Sequence, residues 1–151
     1  MKSILFLASL FVITLSSFAQ PINPWTPPEY FPSKAVLIEW PFNNNIWPLY
    51  SELIKECSEA AEVILVVRNQ NEENQIITKL NNDNVPLNNI SFVHVPCERM
   101  WIRDHGPISV MTDNGVVFID LDDLADSGLD EDLPTNLANI WGLLSYQLPY
   151  I

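Results

Sequence analysis

Lysine and arginine are scarce in this chain, seven against 19 aspartates and glutamates, which leaves a net charge of −12 over 151 residues. Nucleic-acid binding needs clustered cations that replace phosphate counterions, so that class of partner is excluded. The acidic surface suits a cationic partner, although solubility alone would also account for it. Cysteine is nearly absent as well, with only Cys57 and Cys97. A secreted chain can bridge such a pair. Their contexts differ, however: Cys57 sits on the expected inner face of a helix and Cys97 follows a strand. Two buried free thiols are therefore the expectation. No pair of Cys or His residues has the spacing of a zinc site, and neither a metal nor another cofactor is expected.

Long hydrophobic runs are missing too. The apolar stretch of residues 4–15 is too short to span a membrane comfortably. With Lys2 before it and Ser17 and Ala19 after it, MKSILFLASLFVITLSSFAQ has the build of a signal peptide cleaved after Ala19. The alternative is an N-terminal anchor that stays attached. A secreted or periplasmic product is expected, with no membrane association once the leader is removed.

What is present supports one ordinary domain over residues 20–151. Trp25, Trp40, Trp47, Trp101 and Trp141, with seven Phe, supply a core. Residues 20–33 (QPINPWTPPEYFPS) are Pro-rich and read as an extended arm, leaving 34–151 as the folded unit. Residues 35–40 (AVLIEW) form a first strand stopped by Pro41. Leu49, Tyr50, Leu53, Ile54, Cys57, Ala60 and Ala61 recur at three- and four-residue spacing and mark an amphipathic helix. VILVV at 63–67 reads as a strand covered on both faces. Ile76, Ile77 and Leu80 give a second helix, capped by Asn69 or Asn71. ISFVHV at 90–95 is a third strand. Residues 108–111 and 116–119 pair as a hairpin around Thr112-Asp113-Asn114-Gly115, where Asn-Gly suits positive φ. A stretch with seven acids runs from Asp120 to Asp132, and Pro134 opens a third helix reaching about Leu144. The order β-α-β-α-β-β-β-α indicates an α/β fold with mixed sheets. The last residues follow another apolar pair, Leu148-Pro149, and suggest a larger protein cut short.

The segment MWIRDHGP, residues 100–107, carries the chemistry. A carboxylate at the mouth of a strand, beside an indole face, matches a planar cation. Guanidinium pairs bidentately with Asp and stacks on Trp. Trp101 and Asp104 are three residues apart, so one tight turn can direct both to the same cavity. Gly106-Pro107 would end that turn. Arg103 is expected to point elsewhere, into a structural ion pair. The plainer reading is a local Arg103–Asp104 salt bridge with Trp101 in the core, and the residues alone leave both open. His105 is read as a surface or hydrogen-bonded histidine. A Cys97 thiolate assisted by His105 is a further alternative supported only by proximity in sequence. The acidic stretch lacks the alternating oxygens and central Gly of a calcium loop, and a solvated loop is expected. Asn89-Ile90-Ser91 matches a glycosylation acceptor, which matters only in a glycosylating host.

MWIRDHGP closely resembles the W-x-R-D-x-G-P signature of the agmatine deiminase family, which includes bacterial secreted peptidylarginine deiminases. Pro28-Glu29-Tyr30 followed by residues 35–41 (AVLIEWP) is similar to the family's opening segment. The helix, the VILVV strand and Pro96-Cys97-Glu98-Arg99 fall in the family's order, so the likeness spans about residues 27–119. It implies a pentein fold, a pseudo-fivefold α/β propeller of ββαβ-type units, of which this chain would hold about two. It implies metal-free hydrolysis of a guanidine to a ureido group and ammonia by a Cys thiolate and a His, with two acids holding the guanidinium. Asp104 matches the first of those acids, and Trp101 matches the pocket-lining Trp. The implied partner is a guanidinium-bearing small molecule or protein arginine.

The chain departs from the family pattern in one main respect. The family's catalytic His, second acid and Cys come from later modules, and no His follows His105 and no Cys follows Cys97 here. The chain alone is expected to be inactive, with a complementing C-terminal fragment as a partner. The peptidyl enzymes carry arginines after the hairpin, whereas residues 122–128 (DDLADSG) contain none, so agmatine and peptidyl arginine both stay open as substrates. The competing reading is a non-catalytic extracellular module that binds arginine-like cations. A small secreted structural protein without a ligand is the third.

Overall fold

The computed structural model describes residues 21, 23–28, 31–98, 101–122 and 128–149. The expected signal peptide, Glu29-Tyr30, Arg99-Met100 and the centre of the acidic stretch lie outside the described residues.

Among the described residues, eleven short elements follow one another. Strand β1 is Ala35–Glu39, a single 3-10 turn covers Asn44–Ile46, and helix α1 is Trp47–Ala60. Strand β2 (Glu62–Val67), helix α2 (Gln70–Asn82) and strand β3 (Ile90–His94) come next. The one-turn helix α3 (Ile102–His105) leads into strands β4 (Ile108–Thr112) and β5 (Gly115–Asp122). Helix α4 (Leu133–Trp141) and strand β6 (Leu144–Pro149) close the fold. Among the described residues no helix is long and apolar enough to cross a membrane.

The strands build two three-stranded sheets. In the first, β1-β2-β3 run parallel, with Glu39 opposite Val66 and Val67 opposite His94. Parallel neighbours need crossover connections, and α1 and α2 provide them. In the second sheet β4 and β5 are antiparallel and β5 and β6 parallel, with α4 as the crossover. The expectation of mixed α/β structure holds.

Alternation along β2 explains the layering. Val63, Leu65 and Val67 point to one face and pack with Ile38, Trp40, Ile54, Ile76 and Leu80 beneath α1 and α2. Val66 points to the other face and packs with Val93, Cys97, Phe118, Leu133 and Leu137 against α4. A strand buried on both faces has no room for polar residues, which is why VILVV is continuous. A third cluster of Val110, Val117 and Ile119 lies on the second sheet, with Tyr146 and Leu148 against it. The Pro-rich arm runs over that sheet, where Trp25 and Met111 exchange both backbone hydrogen bonds at 3.0 Å.

Local chemistry sets the boundaries. Asn69 caps α2 by accepting from the backbone N–H groups of Asn71 and Glu72. The hairpin's positive φ falls on Gly115, at +114°, one residue beyond the Asp113-Asn114 loop. Helix α4 stops earlier than expected because Gly142 turns left-handed at φ +65° and Leu143 donates back to Ala138. Leu144 consequently belongs to β6, a strand that the helix periodicity masked. The Leu-Ser-Tyr-Gln-Leu alternation, with Tyr146 and Leu148 inward, was its signal. Leu49 and Leu53, expected on the inner face of α1, are exposed. The buried side runs instead through Trp47, Tyr50, Ile54 and Cys57.

A candidate guanidinium site on the motif turn

Parallel strands deliver their carboxyl ends to one edge of the sheet, where α/β proteins commonly place ligands. Here that edge carries Glu39 at the end of β1 with Trp40 after it, Arg68 and Glu72 after β2, and Cys97 after β3. Arg68 and Glu72 form one unit: the Glu72 carboxylate accepts from the Arg68 backbone N–H at 2.7 Å and from its guanidinium at 2.6 Å. The guanidinium also lies 4.0 Å from the centre of the Phe42 ring.

The chain then makes the turn that contains the motif. Asp104 N–H donates to the Trp101 carbonyl at 2.8 Å, and Gly106 N–H donates to Ile102 at 2.7 Å. Ile102 packs into the cluster beneath α4 and anchors the turn. His105 points inward, with its Nε2 2.9 Å from Glu39 Oε2 and both side chains buried. Trp101 and Asp104 remain on the outside of the same turn. Trp101 is 60% exposed, and Asp104 is exposed. Gly106 is required by space, because a Cβ there would lie 2.2 Å from the Ile102 carbonyl oxygen.

Arg103 differs from expectation. It is exposed and makes no ion pair with any described residue, so neither the structural pair nor the local Arg103–Asp104 bridge forms. Both side chains are exposed, and a pair of exposed charges gains too little to be held together. The Asp104 oxygens are thus not taken up by the neighbouring arginine.

Cys57 and Cys97 are both free thiols, as expected, but only Cys97 is buried and Cys57 is half-buried. The Cys97 nucleophile is overturned. Burial, followed by a hydrogen bond to the Glu39 carboxylate, pushes its thiol far above the ordinary range, and a buried thiol of that kind is inert. His105, its supposed base, is tied to Glu39.

The acidic stretch is also corrected at both ends. Asp120 is buried and accepts from the Thr135 hydroxyl at 2.6 Å, and Asp130 is buried and accepts from the Glu98 backbone N–H at 2.6 Å. These carboxylates point inward because hydroxyl and amide donors meet them there. Composition carried no sign of those distant partners.

Donor atoms of Glu39, His105 and Asp130 lie within 4.8 Å of one another, a set of types that can ligate a divalent ion. It joins β1, α3 and the turn before α4, so no spacing in the sequence announces it. Hydrogen bonds already engage one oxygen of each carboxylate.

A parallel three-stranded sheet joined to a mixed one, with an acid exposed on the turn at the carboxyl edge, makes this an α/β protein, and its fold is shared with solved agmatine deiminases. The C. jejuni agmatine deiminase superposes with a TM-score of 0.68 at 20% identity, over 85% of this chain and 40% of that one. A Porphyromonas gingivalis protein named for arginine deiminase activity gives 0.64 at 16% identity, over 83% and 40%. A Selenomonas ruminantium protein named for agmatine deiminase activity is 26% identical over 102 residues, which is 60% of this chain and 26% of that protein. The description of Porphyromonas-type peptidyl-arginine deiminases matches residues 25–144, and the chain belongs to that family. It spans about a quarter of the length of the curated relative and two fifths of the solved neighbours.

Proposed function

We propose that this chain is the guanidinium-holding part of a secreted guanidine deiminase. Asp104 receives the two guanidinium N–H groups of an arginine side chain or agmatine, and Trp101 forms a wall of the pocket. The observation that carries this reading is an exposed Asp104, free of Arg103, on the family's motif turn. A C. jejuni agmatine deiminase variant solved with substrate bound has the same fold over 85% of this chain, at 19% identity and a TM-score of 0.67, which supports a guanidinium-bearing substrate.

In the complete enzyme a Cys thiolate adds to the guanidinium carbon, a His moves the protons, and ammonia leaves. Water then displaces the thiolate and yields the ureido product. This chain supplies the carboxylate that fixes and polarises the guanidinium. Cys97 is too deeply buried and too weakly acidic to be the nucleophile, so the chain alone should turn over no substrate. A five-unit propeller would need further units against the two or so held here. Exposed Ile140, Trp141 and Leu144 on α4 and β6 offer apolar surface to such a complementing fragment.

Calorimetry with agmatine and with Nα-benzoyl-arginine amide tests the reading. Saturable binding that Asp104→Asn weakens by about tenfold or more supports it, and no binding by the unaltered chain refutes it. A colorimetric ureido assay separates the competing module. Chain plus downstream fragment should produce a ureido product, whereas a binding module should stay silent in both forms.

A further inference from the structure

The link between Glu39 and His105 joins residues 66 positions apart, with side chains 1% and 9% exposed. Glu39 is the last residue of β1, held in the parallel ladder opposite Val66. His105 is the last residue of α3 and the immediate neighbour of Asp104. A helix of four residues cannot hold its own shape, because nucleation costs more than one turn of hydrogen bonds returns. Its direction must come from what it is fastened to. On one side Ile102 is seated in the core, but a single apolar anchor leaves the turn free to pivot about it. On the other side His105 is tethered to Glu39.

We propose that Glu39 and His105 form a positioning pair that aims the Asp104 carboxylate at the guanidinium, a role that rests on Asp104 being the guanidinium acceptor. A bidentate grip tolerates misplacement of only about 0.5 Å and about 10–20°. A carboxylate–imidazole contact shielded from water is strong and directional enough to hold that tolerance. Glu39 is itself steadied, since its backbone is fixed in the parallel ladder and its side chain is buried at the sheet edge. One rigid strand end thereby sets the orientation of a short, exposed, functional turn. Neither residue need touch substrate.

The test compares the full chain with its His105→Ala and His105→Gln variants, using backbone amide order parameters at Asp104 and agmatine affinity by calorimetry. Glutamine restores an N–H donor at similar reach, so a merely space-filling role would not distinguish it from alanine. The Asp104 order parameter should be near about 0.85 in the unaltered chain, fall below about 0.6 in His105→Ala and recover in His105→Gln. Ile76, in the core, should stay rigid in all three, showing that the fold persists. Agmatine binding should weaken about tenfold in His105→Ala and return to within about threefold in His105→Gln. An Asp104 amide that is equally rigid in His105→Ala, or equally loose in both variants, overturns the pair's role. Should the unaltered chain bind no agmatine, the guanidinium reading fails, and the order parameters still decide whether His105 holds the turn.

Discussion

Gly106 and Ile102 are locked together: the Gly106 N–H donates to the Ile102 carbonyl at 2.7 Å, and a Cβ on Gly106 would sit 2.2 Å from that same oxygen and 2.8 Å from Ile102 Cγ1. The motif turn is therefore closed by a contact that no side chain can share. Its φ of −78° is ordinary, so the glycine is there for room and not for backbone freedom.

Replacing it tests this directly. Gly106→Ala must push the turn away from Ile102 and should cost about 1–3 kcal/mol, the usual penalty for overpacking. Urea unfolding would read the loss as a lower midpoint, and agmatine binding should fall with it.

Asp104 should behave in the opposite way. It is exposed and unpaired with Arg103, so Asp104→Asn should leave the urea midpoint within about 0.5 kcal/mol of the unaltered chain. Agmatine affinity should nevertheless drop about ten- to a hundredfold, the worth of a charge-assisted pair. A large stability loss would mean that the carboxylate serves the fold.

Helix α2 depends on a local device. Asn69 satisfies two of its first N–H groups, and Asn69→Ala should lower stability by about 1 kcal/mol. Asn69→Asp, which keeps the acceptor and adds a charge at the helix start, should lose little or nothing by the same measurement.

Cys97 gives the chain a pH dependence of known sign. Its thiol is raised in the folded state by burial first and Glu39 second. The unfolded thiol therefore loses its proton at lower pH than the folded one, and stability falls as pH rises above the ordinary thiol value of about 8.5. The slope should be about 1.4 kcal/mol per pH unit for that one proton, and Cys97→Ala should remove it from urea titrations between pH 8 and 10. The native thiol should also react far more slowly with a disulfide reagent than the thiol of the unfolded chain.

Much of this molecule is written locally. The β-branched run 63–67, the asparagine before α2 and the Asn-Gly turn each act through neighbours a few residues away, so strand, helix and hairpin were legible without coordinates. Trp101 and Asp104 were legible for the same reason, since one turn carries both. What the chain could not disclose by itself depends on partners far apart. The inward turn of Asp120 and Asp130 rests on Thr135 and on the Glu98 amide, and the inertness of Cys97 rests on Glu39. The extent of α4 was misjudged because Gly142 and the pairing of β6 with β5 outweigh helical periodicity. The hold of Glu39 on His105 crosses 66 positions, and only the packing of β1 against the motif turn brings those two groups within 2.9 Å. Short-range preference is encoded residue by residue, whereas the burial that decides which charges pair and which thiols ionise exists only once the sheets and helices have closed around them.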